Sequence, residues 1–181
     1  MKNIMVVSGH TDLNDSVANR LILETLQNRL PDAEFDFLDK LYSDFKIDVK
    51  AEQEKLTKAD VIVLQFPLFW YSYPSLMHKW MEDVFVFGFS HGTGTALKGK
   101  TLVASLTSGA PEEIYRQNFT IDDILAPLKQ TAALCGMKQA DFVYTGGVSY
   151  ALRNDPEKRR EIEEKAKAHA QRLIEELNGL V

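Results

Sequence analysis

Short apolar runs alternate along the chain with segments in which apolar residues recur at helical spacing. Ile4–Val7 and Asp60–Phe66 are continuous runs, which is typical of strands buried on both faces. Thr101–Leu106 indicates another strand, Glu34–Leu38 alternates like a more exposed one, and Lys138–Tyr144 indicates a weaker one. The pattern therefore predicts five strands.

Helical patterns fill the intervals between these strands. The predicted helices are Ser16–Leu30, Glu52–Lys58, Ser75–Phe85, Ile121–Leu134 and Asp155–Asn178. Pro31 ends the first helix, and the pair Asp155-Pro156 begins the last one. Strands that alternate with helices predict a parallel sheet covered on both faces, here a doubly wound α/β domain with strand order 2-1-3-4-5.

Composition narrows the class of protein. A length of 181 residues fits one domain, and a formal net charge of −5 argues against a nucleic-acid-binding protein. Cys135 is the only cysteine, so the sequence predicts neither a disulfide framework nor a thiolate metal site. The apolar run Ile4–Val7 is too short for a signal-peptide core, which favours a cytoplasmic protein.

In a sheet of this order, ligands bind at the carboxyl ends of strands 1 and 3. The loop Ser8–Asn19 supplies hydroxyls, the imidazole of His10 and the amino end of a helix, which together favour an anion. The alternative is that Asn14, Asp15 or Ser16 only caps the helix. Asp12 and Asp15 would also repel a phosphate unless they point away.

The loops after strands 3 and 4 add an aromatic and a small-residue segment. Phe69, Trp70, Tyr71 and Tyr73 lie together in the loop Pro67–Pro74 and suit a planar heterocycle, with a dimer contact or a core plug as alternatives. The segment Thr107–Pro111 allows close approach of backbone to a ligand. Together the three loops favour a phosphorylated flavin.

Three motifs give the chain a family resemblance. They are Tyr42–Asp48 followed by Ala51-Glu52-Gln53, then Gln65–Ser72, and Gly92–Lys100. With them the chain resembles the flavodoxin-like NAD(P)H:quinone oxidoreductases, and most of all the FMN branch with the flavin subunits of glutathione-gated potassium efflux systems. The resemblance implies a single flavodoxin-like, flavin-binding domain over residues 1–181.

The resemblance also implies roles for particular residues. Matching the phosphate-binding loop are His10, Ser16, Val17, Ala18 and Asn19. Matching the segment along the flavin ring are Leu68, Phe69, Trp70 and Tyr71, and matching the loop at its polar edge are Thr107, Ser108, Gly109 and Ala110. Tyr115 falls where relatives carry a tyrosine near the flavin carbonyl, which implies a catalytic role, although the segment Arg116–Phe119 after it lacks the histidine that some relatives pair with this tyrosine. His10-Thr11 and Gly109-Ala110-Pro111 also depart from the family pattern.

The implied reaction is a ping-pong transfer of two electrons from NAD(P)H through FMN to a quinone, with FAD as the alternative cofactor. Relatives are homodimers, so a homodimer is expected. Two other functions stay open: a regulatory flavin-binding subunit at the inner face of the membrane, docked on a potassium efflux transporter, and a flavodoxin-like electron carrier.

Several other signals are weaker. Gly94–Thr101 matches the phosphate-binding loop of nucleotide triphosphatases, but a strand follows it where a helix is needed, so Lys98 and Lys100 are interpreted as solvated charges. The histidines lack metal-ligand spacing on one helix face, and no metal site is predicted. His91 either contacts substrate or caps its loop, and Cys135 is predicted to be a buried apolar residue.

Overall fold

A computed structural model describes residues 2–180. Its strands are β1 (Ile4–Ser8), β2 (Glu34–Phe37), β3 (Val61–Pro67), β4 (Thr101–Thr107), β5 (Lys138–Gln139) and β6 (Val143–Thr145). All of them pair in parallel, in the order β2-β1-β3-β4-β5, and β6 also pairs with β4. The predicted doubly wound order is confirmed.

Helices cover both faces of the sheet. They are α1 (Ala18–Arg29), α2 (Leu38–Leu41), α3 (Val49–Lys58), α4 (Ser75–Val84), α5 (Ile121–Ile124), α6 (Ala126–Leu134) and α7 (Pro156–Leu180). One core lies under α2 to α6, and a second core lies under α1 and α7. Short 3-10 turns at Leu13–Asp15, Glu112–Arg116 and Tyr150–Leu152 complete the described structure.

The central strands end at the same level of the sheet. Every residue of β3 and β4 is buried, as their continuous apolar runs predicted. The register places Ser8 of β1 beside Gln65 of β3, and Gln65 beside Ser105 of β4. The loops that follow these strands therefore leave the sheet at one edge, which is where the sequence predicts the ligand.

Two elements differ from the sequence prediction for local reasons. The predicted helix over 121–134 is divided at Leu125, because Pro127 in the first turn of α6 has no N–H to donate to the preceding turn. The second strand stops at Phe37, since Leu38 already begins α2.

The predicted fifth strand is divided into β5 and β6 by a bulge. Lys138 pairs with Thr101, an offset of 138 − 101 = 37, whereas Val143 pairs with Ser105, an offset of 143 − 105 = 38. Residues 140–142 therefore contain one residue more than the two that they oppose in β4. An extra residue of this kind locally disrupts the ladder.

Two remaining expectations concern single residues, Cys135 and Lys100. Cys135 is buried, as predicted. Lys100 is not a solvated charge: its ammonium is half-buried and donates to the carbonyl oxygens of Thr57, at 2.9 Å, and of Ala59. In this way it caps the carboxyl end of α3. None of the helices within residues 2–180 is long and apolar enough to cross a membrane.

Candidate active site

The carboxyl edge of the sheet opens into a cavity of about 280 Å³. Four loops form its wall, namely those that follow β1, β3, β4 and β6. The cavity lies at the switch point beside β1 and β3, where open sheets of this order bind ligands.

Most of the residues predicted to bind the cofactor come together here. The cavity is lined by His10, Ser16, Val17, Ala18, Asn19, Leu68, Phe69, Thr107, Ser108 and Gly109. Outside this lining lie Trp70, Tyr71, Ala110 and Tyr115. The structure therefore separates the predicted residues into a group at the cavity and a group beside it.

Ser16 both caps α1 and faces the cavity. Its hydroxyl oxygen accepts from the backbone N–H of Asn19 at 3.1 Å and from the Asn19 side-chain amide at 3.3 Å. The interpretation of Ser16 as a helix cap is thus correct, but it does not account for the hydroxyl hydrogen. Because the oxygen accepts twice, the Ser16 hydrogen is left to donate, and within residues 2–180 it has no acceptor. A hydroxyl hydrogen directed into a cavity at the start of a helix favours an anion.

His10 contributes a second donor. Its Nδ1 accepts from the backbone N–H of Asp12 at 3.1 Å, so the hydrogen of the neutral ring lies on Nε2. Burial lowers the pKa of His10 although Asp39, Asp12 and Asp15 act in the opposite sense. The imidazole therefore offers the cavity a neutral N–H group at physiological pH.

The two carboxylates that would repel an anion are otherwise engaged. Asp12 accepts from the backbone N–H of Asn14 at 3.1 Å. Asp15 lines the cavity, but Arg153 Nε lies 3.4 Å from its Oδ1. The guanidinium of Arg153 also lies 3.4 Å above the centre of the Tyr150 ring. Arg153 therefore places a positive charge beside Asp15, and this charge offsets that of the Asp15 carboxylate.

Arg153 belongs to a part of the wall that the sequence analysis missed. Val148, Ser149, Tyr150 and Arg153 follow β6 and line the cavity, together with Ile162 of α7. Gly109 packs next to this loop, and a side-chain carbon there would be in ordinary van der Waals contact with Ser149 Cα, at 3.5 Å. The signal was present, because a fifth parallel strand must place its following loop at the same edge of the sheet.

The aromatic loop forms a tight two-residue turn over the cavity. Phe69 N–H donates to Ser72 O at 2.9 Å, and Ser72 N–H donates to Phe69 O at 3.1 Å. Between them Trp70 and Tyr71 have φ values of 50° and 64°, in the left-handed region that glycine and asparagine normally fill. Residues held this way cost on the order of 1–3 kcal/mol each and are concentrated at functional sites. Trp70 is 95% exposed, so packing does not explain its position.

Tyr115 lies beside a second, more apolar cavity of about 460 Å³. Its lining is Tyr71, Ile114, Tyr115, Asn118, Phe119 and Ile124. The Tyr115 ring packs edge-on against Tyr144 at 5.7 Å between ring centres and against Tyr71 at 6.5 Å. The aromatic loop contributes to both cavities, because Phe69 lines the first and Tyr71 lines the second.

Two further residues of interest have local partners. Tyr144 OH is 2.7 Å from Ser108 Oγ, and burial raises the pKa of Tyr144 to about 12, so it stays a neutral hydroxyl. His91 lines neither cavity; its Nδ1 lies 2.9 Å from Ser90 Oγ within its own loop. In the part of the chain that the structure describes, no three His, Cys, Asp or Glu side chains are grouped to hold a metal ion.

Comparison with known proteins agrees with this geometry. The sequence profile of the flavodoxin-like fold family matches residues 2–173. The chain belongs to this family. The resemblance stated from its motifs is thus confirmed.

Two curated relatives of this flavodoxin-like protein are similar over most of their length. The glutathione-regulated potassium-efflux system ancillary protein KefG of Enterobacter sp. (strain 638) is 40% identical over 139 residues, or 74% of this chain and 75% of KefG. The uncharacterized NAD(P)H oxidoreductase YdeQ of Bacillus subtilis (strain 168) is 38% identical over 142 residues, or 76% of this chain and 71% of YdeQ. Relatives thus include a named NAD(P)H oxidoreductase and an ancillary protein of a potassium-efflux system.

Among solved structures, general stress protein 14 of Treponema denticola in complex with FMN has the same fold. The match has a TM-score of 0.84 and 24% identity, and it covers 97% of this chain and 99% of the other.

Proposed function

We propose that this protein is a flavin-dependent NAD(P)H:quinone oxidoreductase that holds FMN in the cavity at the carboxyl edge of the sheet. One observation supports the proposal: the cavity has a cluster of anion-binding donors, Ser16 and the His10 Nε2–H, and is also lined by Leu68 and Phe69, which lead into the strained aromatic turn. A phosphate at one end and a flat ring at the other describe a flavin mononucleotide.

In this proposal different residues of the chain bind the phosphate, the ring and the polar edge of FMN. Ser16, His10 and the amino end of α1 hold the phosphate, and Arg153 supplies the nearby positive charge. The segment Leu68–Tyr71 lies along the ring. Thr107–Ala110 contact its polar edge, where the Ser108 hydroxyl is backed by Tyr144. FMN is favoured over FAD because the chain resembles the FMN branch and because the similar solved structure from Treponema denticola is a complex with FMN.

The cavity beside Tyr115 is the proposed place for both substrates. When bound, FMN accepts a hydride from NAD(P)H and gives two electrons to an acceptor. The apolar lining suits a nicotinamide ring and then a quinone in the same place, which is why we propose ping-pong kinetics. Tyr115 is proposed to donate a hydrogen bond where negative charge develops at the ring edge.

The proposed oligomer is a homodimer. Trp70 and Phe119 are mostly exposed and lie on the loops around the proposed substrate cavity, and Phe87 is exposed on the loop that follows α4. A second copy of the chain that covers these side chains would remove them from water and close the cavity.

The experiment is a visible spectrum after reconstitution with FMN. We expect a flavin band that bleaches when NAD(P)H is added and recovers when menadione follows. Tyr115→Phe should retain FMN and lower the rate of reduction or reoxidation. A protein that takes up no flavin would overturn the proposal, and a bound flavin that NAD(P)H does not reduce would overturn its catalytic part.

A second candidate function is favoured by the similarity to KefG. In that case the protein is a flavin-binding regulatory subunit that docks on a potassium efflux transporter at the inner face of the membrane. Co-purification with such a transporter, lost on mutation of an exposed residue such as Trp70 but not on loss of FMN, would support it.

A further inference from the structure

A line of buried polar side chains crosses the sheet beneath the candidate active site. In order, this polar row is Ser16, Asn19, Gln65, Ser105, His169 and Thr145. Each member lies within hydrogen-bond distance of the next. The row begins at the cavity and ends under α7, where Arg172 contacts Thr145. Buried polar groups need partners, but a continuous row is more than that need requires.

The hydrogens of such a row can point in either of two directions. Every member is a hydroxyl, an amide or an imidazole, and each of these groups both donates and accepts. In one direction all donors point toward the cavity, and the Ser16 hydrogen is free. In the other, the Ser16 hydroxyl donates to Asn19, and no hydrogen faces the cavity. The two directions would therefore differ in their affinity for an anion.

Arg172 favours the first direction. A guanidinium only donates, and its Nη2 lies 2.6 Å from Thr145 Oγ1 and 2.9 Å from Tyr144 O. Having accepted from Arg172, Thr145 has its own hydrogen to give to His169 Nδ1, 2.9 Å away. In the opposite direction Arg172 and His169 would both donate to Thr145. Its hydrogen would then lack an acceptor within residues 2–180, which is costly when buried.

His169 connects Thr145 to Ser105, and its tautomer determines the direction of hydrogen-bond donation between them. It is completely buried, and burial together with Arg172 lowers its pKa to about 3, so the ring is neutral and has one hydrogen. With Nδ1 accepting, that hydrogen is on Nε2 and donates to Ser105 Oγ at 2.8 Å. Ser105 in turn donates to the Gln65 carbonyl oxygen, and the Gln65 amide donates to Asn19 Oδ1 at 2.8 Å.

The direction reaches the cavity through Asn19. Its Oδ1 accepts from Gln65 and also from Thr107 Oγ1 at 3.2 Å. Its amide group is thereby turned to donate to Ser16 Oγ. The Ser16 hydrogen is the last in the row and, with no acceptor among the residues that the structure describes, it is available to the cavity.

We propose that Arg172 and His169 are positioning residues for the phosphate site: Arg172 fixes the Nε2–H tautomer of His169, and the polar row passes this direction to the Ser16 hydroxyl. This inference rests on the proposed function, because it assigns the Ser16 hydrogen to the phosphate of FMN. Neither residue lines the cavity, so their effect is transmitted through the row.

The first test is the tautomer itself, measured by long-range 15N–1H spectroscopy on the flavin-free protein. We expect His169 with its hydrogen on Nε2 and an accepting Nδ1. Arg172→Leu removes the fixed donor and should shift His169 toward the Nδ1–H tautomer, and Arg172→Lys, which still only donates, should restore Nε2–H. A wild-type protein with His169 in the Nδ1–H form would overturn the proposal.

The second test compares FMN with riboflavin, which lacks the phosphate. Arg172→Leu should weaken FMN about tenfold, the size expected for losing one hydrogen bond to a charged group, and should leave riboflavin unchanged. Arg160→Leu is the matched control, since it removes an exposed arginine and the same charge from the same helix. It should leave both affinities unchanged.

A double-mutant cycle then connects the two ends of the row. Ser16→Ala should weaken FMN in the wild type but have little further effect in Arg172→Leu, because the hydrogen it removes is no longer presented. Independent losses would overturn the inference. If wild-type protein bound FMN no more tightly than riboflavin, the proposed phosphate site would fail and the role of the Ser16 hydrogen with it, whereas the tautomer spectrum would still decide the direction of the row.

Discussion

On one face of the sheet, Glu52 is completely buried in an ionic cluster, and on the other face the polar row is buried without an ionised member. Glu52 accepts from Tyr42 OH at 2.7 Å, from Trp80 Nε1 at 2.7 Å and from Lys55 Nζ at 2.8 Å. Lys55 also pairs with Asp36 at 2.8 Å. This acidic cluster of Glu52, Asp36, Lys55, Tyr42 and Trp80 is closed, since its members satisfy one another.

The polar row differs because it is open at one end. Its last hydrogen, on Ser16, faces the cavity. The comparison indicates that the acidic cluster holds the fold together, while the row prepares a site. It also bears on the motif Tyr42–Gln53, which was one basis for the family resemblance: its Tyr42 and Glu52 lie in the acidic cluster rather than at the cavity.

The largest effect should come from breaking the acidic cluster. Glu52→Ala leaves Tyr42, Trp80 and Lys55 without their shared acceptor, and we expect a loss of about 3–5 kcal/mol in the free energy of unfolding. Urea denaturation measures this. Glu54→Ala, an exposed position of the same helix, should change stability by less than about 0.5 kcal/mol. If both variants were equally stable, the cluster would not be the structural element that we describe.

A smaller effect, on the pH dependence of the free energy of unfolding, should distinguish the polar row from the acidic cluster. His169 has a folded pKa of about 3, below its ordinary value of 6.5, so the unfolded chain binds the proton more readily. Stability from this group is therefore intact above about pH 6.5 and falls on acidification, by about 2 kcal/mol between pH 6.5 and pH 5.

His169→Gln, which can still donate and accept, should lack this acid-dependent loss. The measurement is denaturant unfolding of both proteins at the two pH values. The acidic cluster is present in both, so its own titration cancels in the difference. Parallel pH curves for the two proteins would contradict a buried neutral His169.

A substitution of Ser16, at the open end of the polar row, should affect the affinity for FMN more than the free energy of unfolding. Ser16→Ala removes the free hydrogen and the acceptor for Asn19, and we expect FMN to bind about tenfold more weakly, with a loss of about 1 kcal/mol in the free energy of unfolding. Titration of flavin fluorescence measures the first quantity. Riboflavin affinity is the control, and an equal loss for both ligands would speak against a phosphate contact at Ser16.

The smallest effect is expected at the strained turn over the cavity. Asparagine tolerates φ near 50° better than tryptophan does, and Trp70 is too exposed to lose packing. In the dilute, monomeric protein, where a second copy does not cover Trp70, Trp70→Asn should therefore raise the free energy of unfolding by up to about 1 kcal/mol, and it should lower the rate of quinone reduction. Thermal unfolding and a menadione assay measure the two effects. A less stable variant would mean that Trp70 is packed against a partner, as in the proposed homodimer.

The fold was largely predictable because each central strand is a continuous apolar run that only a doubly covered sheet can bury. The members of the polar row were harder to recognise. Gln65 and Ser105 interrupt such runs near their carboxyl ends, which is a readable signal for polar groups under a site. His169 has no local signal, since its partners Ser105 and Thr145 belong to strands distant along the chain.

The bulge between β5 and β6 fixes how insertions and deletions can accumulate at this edge of the sheet. Ala140 and Val143 both pack toward α7, although three positions separate them, because the extra residue in 140–142 reverses the alternation of faces. Deleting one residue there would remove the bulge and join β5 and β6 into one regular strand, with Tyr144 and Thr145 still opposite Leu106 and Thr107 and on their present faces. Homologues that retain the polar row can therefore lack the extra residue of this segment, because its loss does not turn Thr145 away from His169.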